Sequence, residues 1–94
     1  MKAQLLLRER TQLAEDRFVE IVIWAVPEAV RGSTHSFKYR LALIVDETCV
    51  LRYDNEAGKG DHKHLGEEER PYQFTTPEQL LADFRCDVLD WRPK

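Results

Sequence analysis

The stretch FKYRLALIVDETCVLRYD, residues 37–54, contains the clearest structural pattern in the chain. Large apolar residues at positions 37, 39, 41, 43 and 45 alternate with other side chains, as in a β-strand that buries one face. Asp46-Glu47-Thr48 interrupts the pattern and predicts a three-residue turn. The alternation then resumes from Cys49. The stretch therefore predicts an antiparallel β-hairpin.

The register of this hairpin follows from keeping one face apolar. A shift by one residue would turn Arg52 and Asp54 toward the core. The predicted cross-strand pairs are Val45 with Cys49, Leu43 with Leu51, Leu41 with Tyr53, Ala42 with Arg52 and Arg40 with Asp54. Four charged residues then share the outer face, namely Lys38, Arg40, Arg52 and Asp54.

The flanking segments predict further strands and one helix. Residues 3–8 could be a strand or the start of a helix, which their propensities favour. Because the segment 17–26 is rich in Val and Ile and alternates like a strand, we expect the two to form a hairpin with a turn at residues 14–16. Residues 56–70 are predicted to be a loop, and residues 71–75 a short last strand. Thr76 is the expected helix N-cap, with Pro77 at the first helical position and Gln79 completing a capping box. An apolar stripe at helical spacing follows, made of Leu80, Leu81, Phe84, Val88 and Trp91.

These elements predict an α+β fold. We expect an antiparallel sheet of four to five strands with a C-terminal helix packed on one face. The length of 94 residues is typical of one domain, which we place at residues 1–94.

Charge is unevenly distributed along the chain. The formal net charge is −3, which argues against a long nucleic-acid footprint. Residues 31–64 nevertheless contain six Lys or Arg, five Asp or Glu and all three histidines, so a local positive patch is expected. Cys49 and Cys86 have no metal-ligand spacing and predict buried thiols in a reducing compartment. No segment is long and apolar enough for a membrane span, and we expect a cytoplasmic protein.

The segment YDNEAGKGDHKH, residues 53–64, concentrates the titratable groups. His62 and His64 lie two residues apart, so an extended backbone would point both toward one ligand. One imidazole can act as a base and its partner as an acid, the combination that RNA cleavage requires. Lys59 is the third predicted catalytic residue, as a cation at the phosphate, with Arg40 or Arg52 as alternatives. The residues predicted to bind phosphate or RNA are Lys38, Arg40, Arg52, Asp54, Asn55 and Lys63.

Two other functions fit the same residues. Asp61, His62 and His64, with His35, have the chemistry of metal ligands. Two histidines two residues apart are a weak metal signal, however, and we expect neither a metal nor another cofactor. A binding module that inhibits a protein or nucleic-acid target without catalysis is the alternative function. A homodimer formed through the outer sheet face or an edge strand is also compatible with the sequence.

The chain resembles the TumE-like toxins of bacterial toxin–antitoxin pairs. The resemblance extends from KAQLLLRER and FVEIVIW to the terminal helix, and its most specific parts are FKYRL (37–41), YDNEAGKGDHKH (53–64) and PYQFTTPEQLLADF (71–84). It implies a growth-inhibiting protein whose partner is an antitoxin with a helix-turn-helix DNA-binding domain. Toxins of this size are commonly ribonucleases, with RNA as the target. By analogy, an RNase site would use Lys38, Arg40, Arg52, Asp54, Lys59, Asp61, His62 and His64.

Overall fold

The computed structural model describes residues 2–93 and contains a six-stranded antiparallel sheet and one helix. Each strand pairs with the next in the chain, so the strand order is β1-β2-β3-β4-β5-β6. The elements are β1 (Gln4–Ala14), β2 (Arg17–Ala25), β3 (Phe37–Val45), β4 (Thr48–Glu56), β5 (Gly60–Leu65), β6 (Glu68–Pro71) and α1 (Pro77–Asp90). The α+β prediction is confirmed, but the predicted number of four to five strands is wrong.

The additional strands come from the segment that was predicted to be a loop. Residues 60–65 pair with β4, and residues 68–71 pair with β5. The sequence GDHKHL has no apolar alternation, since Leu65 packs against the core but His62 and His64 contact polar partners. The predicted strand over residues 71–75 is also wrong, since β6 ends at Pro71.

The register of the central hairpin is confirmed except next to its turn. Arg40 pairs with Asp54, Leu41 with Tyr53, Ala42 with Arg52 and Leu43 with Leu51. Val45 pairs with Thr48 rather than with Cys49, because the turn has two residues, Asp46 and Glu47. A β-bulge at Val50 then adds the residue that the shorter turn lacks. Beyond the bulge, the pairing is therefore the one that the predicted three-residue loop would give, and Arg40, Arg52 and Asp54 share one face.

Helix α1 begins where the sequence predicts. The Oγ1 atom of Thr76 accepts a hydrogen bond from the N–H of Gln79 at 3.1 Å. The other half of the capping box is not formed, since the Gln79 side chain donates to Asp83 instead. Leu80 and Phe84 are fully buried against the sheet. Trp91, the last residue of the predicted stripe, is the C-cap and is only partly buried.

The core lies between α1 and one face of the sheet. Odd-numbered residues of β2, β3 and β4 form it together with α1: Val19, Ile21, Ile23, Tyr39, Leu41, Leu43, Val45, Leu51, Tyr53, Leu80 and Phe84. Strand β1 extends beyond the cover of α1, and its Leu5, Leu6 and Leu13 are exposed. The prediction of buried thiols is wrong, because Cys49 and Cys86 are both exposed. Within residues 2–93, no helix has the length and hydropathy needed to span a membrane.

Two buried tyrosines of the sheet hydrogen-bond to carboxylates on other elements, one on α1 and one on β5. The Tyr53 hydroxyl donates to Asp87 of α1, and the Tyr39 hydroxyl lies 2.7 Å from Oδ2 of Asp61. Burial raises the pKa of both phenols far above the usual range, and the hydrogen bonds to Asp87 and Asp61 raise it further. Both tyrosines therefore stay protonated in the folded protein at alkaline pH.

We predict that Glu47→Gly stabilises the protein by about 0.5–1 kcal/mol. Asp46 and Glu47 have φ values of 48° and 66°, a left-handed conformation that glycine adopts without the steric cost of a side chain. Urea unfolding measures the change. Glu15→Gly is the matched control in the β1–β2 turn, where Glu15 has no positive φ. Equal destabilisation by both changes would contradict the prediction.

We also predict a loss of stability above about pH 10 that depends on Tyr39 and Tyr53. Their pKa is higher in the folded than in the unfolded chain, so the stabilisation is complete below the unfolded pKa and declines as pH rises above it. Each phenol contributes a slope of about 1.4 kcal/mol per pH unit. Urea unfolding over this range should show a slope reduced by that amount in Tyr53→Phe. An unchanged slope in that variant would contradict the account.

Candidate functional site

The face of the sheet opposite α1, here called the outer face, carries the even-numbered residues of β2, β3 and β5 and those of β4 that follow the bulge at Val50. Cross-strand pairing aligns these residues in two neighbouring rows. The first row contains Arg8, Val22, Arg40, Asp54 and His62. The second row contains Arg10, Glu20, Ala42, Arg52, His64 and Glu69. Lys38, Arg40, Arg52 and Asp54 therefore share this face, as the sequence predicts.

The outer face has a small excess of basic residues although the chain as a whole is acidic. Its two rows and the adjacent Lys38 and Glu56 include five basic residues, Arg8, Arg10, Lys38, Arg40 and Arg52, and four acidic residues, Glu20, Asp54, Glu56 and Glu69. Phe18 and Trp24 are on the same face, and the guanidinium of Arg10 lies 4.2 Å from the ring centre of Phe18. The face thus combines cations with partly exposed aromatic rings.

Four side chains at the β4–β5 end of this face form one connected group, the His–Asp cluster: Arg52, Asp54, His62 and His64. Nε2 of His62 lies 2.6 Å from Oδ1 of Asp54. Nε of Arg52 lies 2.9 Å from Oδ2 of the same carboxylate. Asp54 was expected to pair with Arg40, its cross-strand neighbour, but its ion-pair partners are Arg52 and His62. Asp54 is 5% exposed, so these two contacts compensate for the burial of its carboxylate.

His62 is held inside the fold. Its Nδ1 lies 3.0 Å from the carbonyl oxygen of Gly60, and a carbonyl only accepts, so Nδ1 carries a proton. Its Nε2 faces Asp54, and the residue is 4% exposed. Both ring nitrogens therefore face protein atoms. His62 is therefore closed to solvent, whereas the predicted catalytic role needs an imidazole that RNA can reach.

His64 is the accessible imidazole of the pair. Its side chain is 22% exposed, and its ring centre lies 4.8 Å from that of His62 in an edge-to-face arrangement. Nη2 of Arg52 lies 3.1 Å from Nε2 of His64. A guanidinium only donates, so Nε2 of His64 is the acceptor and this ring is neutral, with its proton on Nδ1. The two rings do converge, as expected, but only His64 of the pair is accessible to solvent.

Three other predicted site residues lie away from the His–Asp cluster. Lys63 points to the helix face, where its Nζ is 3.3 Å from Asp87. Asn55 is buried and uses its side chain to bond the backbone of Tyr39 and Phe37. Lys59 is exposed in the β4–β5 turn, 3.8 Å from Glu56. The structure therefore brings Arg52, Asp54, His62 and His64 together, with Lys38 and Arg40 on the same face.

A second group of polar side chains, which sequence reasoning missed, is centred on Asp61. The carboxylate of Asp61 accepts from Ser33 at 2.5 Å, from Tyr39 at 2.7 Å and from Nε2 of His35 at 2.6 Å. Nδ1 of His35 accepts the Phe37 N–H, and its ring stacks on Phe74 at 3.8 Å. The polar atoms of this group are thus paired within the protein, and their hydrogen bonds hold the β2–β3 loop against β5.

The four residues that the sequence suggested as metal ligands lie in two separate places. His35 and Asp61 contact each other on the helix side, whereas His62 and His64 lie on the outer face. No single ion can bind all four. Sequence gives little sign of the Asp61 group, because Ser33 and Asp61 are far apart in the chain and no motif connects them.

The comparisons with known proteins give one match. A family model described as "Toxin TumE" matches residues 2–92, which is nearly the whole chain. Neither the search of curated proteins nor the search of solved structures found a significant match.

We predict that the two histidines differ in their contribution to stability. His62→Ala should lower the free energy of unfolding by about 3 kcal/mol, because it removes a buried partner of Asp54. His64→Ala should cost less than about 1 kcal/mol, because His64 is partly exposed and Arg52 keeps its contact with Asp54. Urea unfolding at neutral pH measures both. Equal losses in the two variants would show that His62 is not held as described.

Proposed function

This chain belongs to the TumE toxin family, and from that premise we propose that it inhibits growth by binding RNA on the outer face and cleaving it beside His64. The observation that carries the proposal is the accessible neutral imidazole of His64, placed 3.1 Å from a guanidinium on the outer face. A base and a phosphate-binding cation are the two groups that cleavage through the 2′-hydroxyl requires first.

The composition of the outer face supports RNA as the target. Arginines and a lysine surround the site, and such cations bind phosphate oxygens. Phe18 and Trp24 offer rings on which unpaired bases can stack, as on other single-strand-binding sheets. Because the chain as a whole is acidic and the outer face carries only a few cations, we expect contact with a few nucleotides rather than with a long duplex.

In the proposed mechanism, the 2′-hydroxyl of RNA transfers its proton to Nε2 of His64. For this to happen, Arg52 turns its Nη2 from His64 to the phosphate, which is within the reach of a flexible side chain. The 2′-oxygen attacks phosphorus, Arg52 and Arg40 stabilise the added negative charge, and the 5′-oxygen leaves with a proton from water. The expected products are a 2′,3′-cyclic phosphate and a 5′-hydroxyl.

His62 takes a different part in this mechanism than the sequence suggests. Because its ring nitrogens face Gly60 and Asp54, it does not exchange protons with RNA directly. It is a positioning residue, which supports the ring of His64 at 4.8 Å and fixes Asp54. Lys59 is outside the cluster, and Arg52 and Arg40 supply the cations in its place.

A non-catalytic toxin is the second candidate function. It is favoured by one observation, namely that the only accessible ring of the cluster has its Nε2 already engaged by Arg52. If Arg52 stayed there, the outer face would bind RNA without cutting it. The same purified protein and RNA distinguish the two candidates.

The proposed partner is an antitoxin with a helix-turn-helix DNA-binding domain, encoded beside this chain. Self-association is a further proposal, based on β1. This edge strand has eleven residues and exposes Leu5, Leu6 and Leu13, features that favour pairing with another strand. Sedimentation at several protein concentrations would detect a homodimer.

We predict that purified protein cleaves total RNA in the presence of EDTA and that His64→Ala reduces the rate by about a hundredfold or more. The same variant should relieve growth inhibition while keeping the fold, as judged by circular dichroism. Arg40→Ala should weaken RNA binding, whereas the control Lys63→Ala should not, because Lys63 lies on the helix face.

Three results separate the candidates. Full cleavage by folded His64→Ala protein would exclude the proposed base. Growth inhibition with intact RNA would favour the binding toxin. Loss of RNA binding in Lys63→Ala but not in Arg40→Ala would place the RNA on the helix face and contradict binding on the outer face.

A further inference from the structure

We propose that Asp54, His62, His64 and Glu69 form a binding site for one divalent transition-metal ion, which assembles when Arg52 leaves the cluster. The proposal goes beyond the function given above and does not depend on it. The ligand set also differs from the one considered from sequence, since it replaces His35 and Asp61 by two carboxylates on the outer face.

The donor atoms are already close together. Ligand atoms of Asp54, His62 and His64 all lie within 4.8 Å of one another. Oε1 of Glu69 lies 3.8 Å from Nε2 of His62 and 3.9 Å from Nε2 of His64. Two imidazoles and two carboxylates suit ions such as Zn²⁺ or Co²⁺ better than Mg²⁺ or Ca²⁺, which prefer oxygen ligands.

The hydrogen bonds around the two rings leave the correct nitrogens available. The Gly60 carbonyl keeps the proton of neutral His62 on Nδ1, so the lone pair is on Nε2. Nε2 of His64 accepts a hydrogen bond from Arg52, so its lone pair becomes available when Arg52 leaves. A backbone carbonyl that fixes the tautomer of a histidine is a common second contact of metal ligands.

Two of these atoms have only each other as close partners within the described residues. Oδ1 of Asp54 and Nε2 of His62 are 2.6 Å apart and inaccessible to solvent, and neither makes a hydrogen bond to a third group. Their residues are 5% and 4% exposed. When His62 is neutral with its proton on Nδ1, the carboxylate oxygen faces a lone pair, which is costly for buried atoms. A metal ion bound to both would satisfy them.

Arg52 is the competitor for this site. Its guanidinium contacts Oδ2 of Asp54 and Nε2 of His64, so it places a positive charge where the ion would bind. Its side chain is 29% exposed and can turn outward into solvent. His64 then has to move inward, because two ligands of one zinc ion are at most roughly 4.2 Å apart.

Titration with Co²⁺ tests the proposal without RNA, by following the visible absorption of the bound ion, and calorimetry with Zn²⁺ gives the affinity. We expect one ion per chain. Arg52→Met should bind about tenfold or more tightly, because the competing charge is gone. His64→Ala, which is expected to keep the fold, should lose at least about a hundredfold in affinity in the Arg52→Met background.

Matched controls distinguish this site from unspecific binding. Lys63→Met removes a cation from the helix face and should leave affinity unchanged, and Glu68→Gln should be neutral where Glu69→Gln weakens binding. The proposal is overturned if folded Arg52→Met protein binds no Co²⁺, or if binding survives His64→Ala. Because these readouts contain no RNA, failure of the ribonuclease proposal would leave them unaffected.

Discussion

The two-residue period of the sheet is the constraint on which both the core and the candidate site depend. In β2, in β3 and in β4 from Leu51 onward, odd-numbered side chains pack under α1 and even-numbered ones face the other way. Pairing with β4 extends this order to β5, so Lys63 lies beside Tyr53 while His62 and His64 lie beside Asp54 and Arg52. A register shift of one residue would bury the charges and expose the core. The apolar packing of the sheet thus determines which charged residues meet.

The part of the fold that could be predicted is the part with an apolar pattern. The hairpin over residues 37–54 and the helix after Thr76 follow from alternation and from a capping signal. Strands β5 and β6 could not be found this way, because apart from Leu65 their side chains are polar or exposed and show no apolar alternation. The bulge at Val50 was equally hidden, although it corrects the register after a two-residue turn.

The sequence predicted which charged residues share one face, but not which of them are buried. Strand periodicity was enough to place Arg40, Arg52 and Asp54 on one face. The burial of His62 depends on the Gly60 carbonyl and on Asp54, and no local pattern reveals these contacts. The pairing of His35 with Asp61 likewise arises only from the folded chain. Side-chain chemistry thus indicated a charged centre, whereas tertiary contacts leave His64 partly exposed and bury His62.

The most direct test of the account is to map where RNA contacts the protein. Nuclear magnetic resonance can follow amide and imidazole signals as a short RNA with 2′-O-methyl groups, which cannot be cleaved through the 2′-hydroxyl, is added. The account predicts shifts of the His64 ring and of outer-face residues such as Arg40 and Arg52, with little change in Lys63 or α1. Shifts confined to α1 or to the residues around Asp61 would contradict it, as would the absence of any shift.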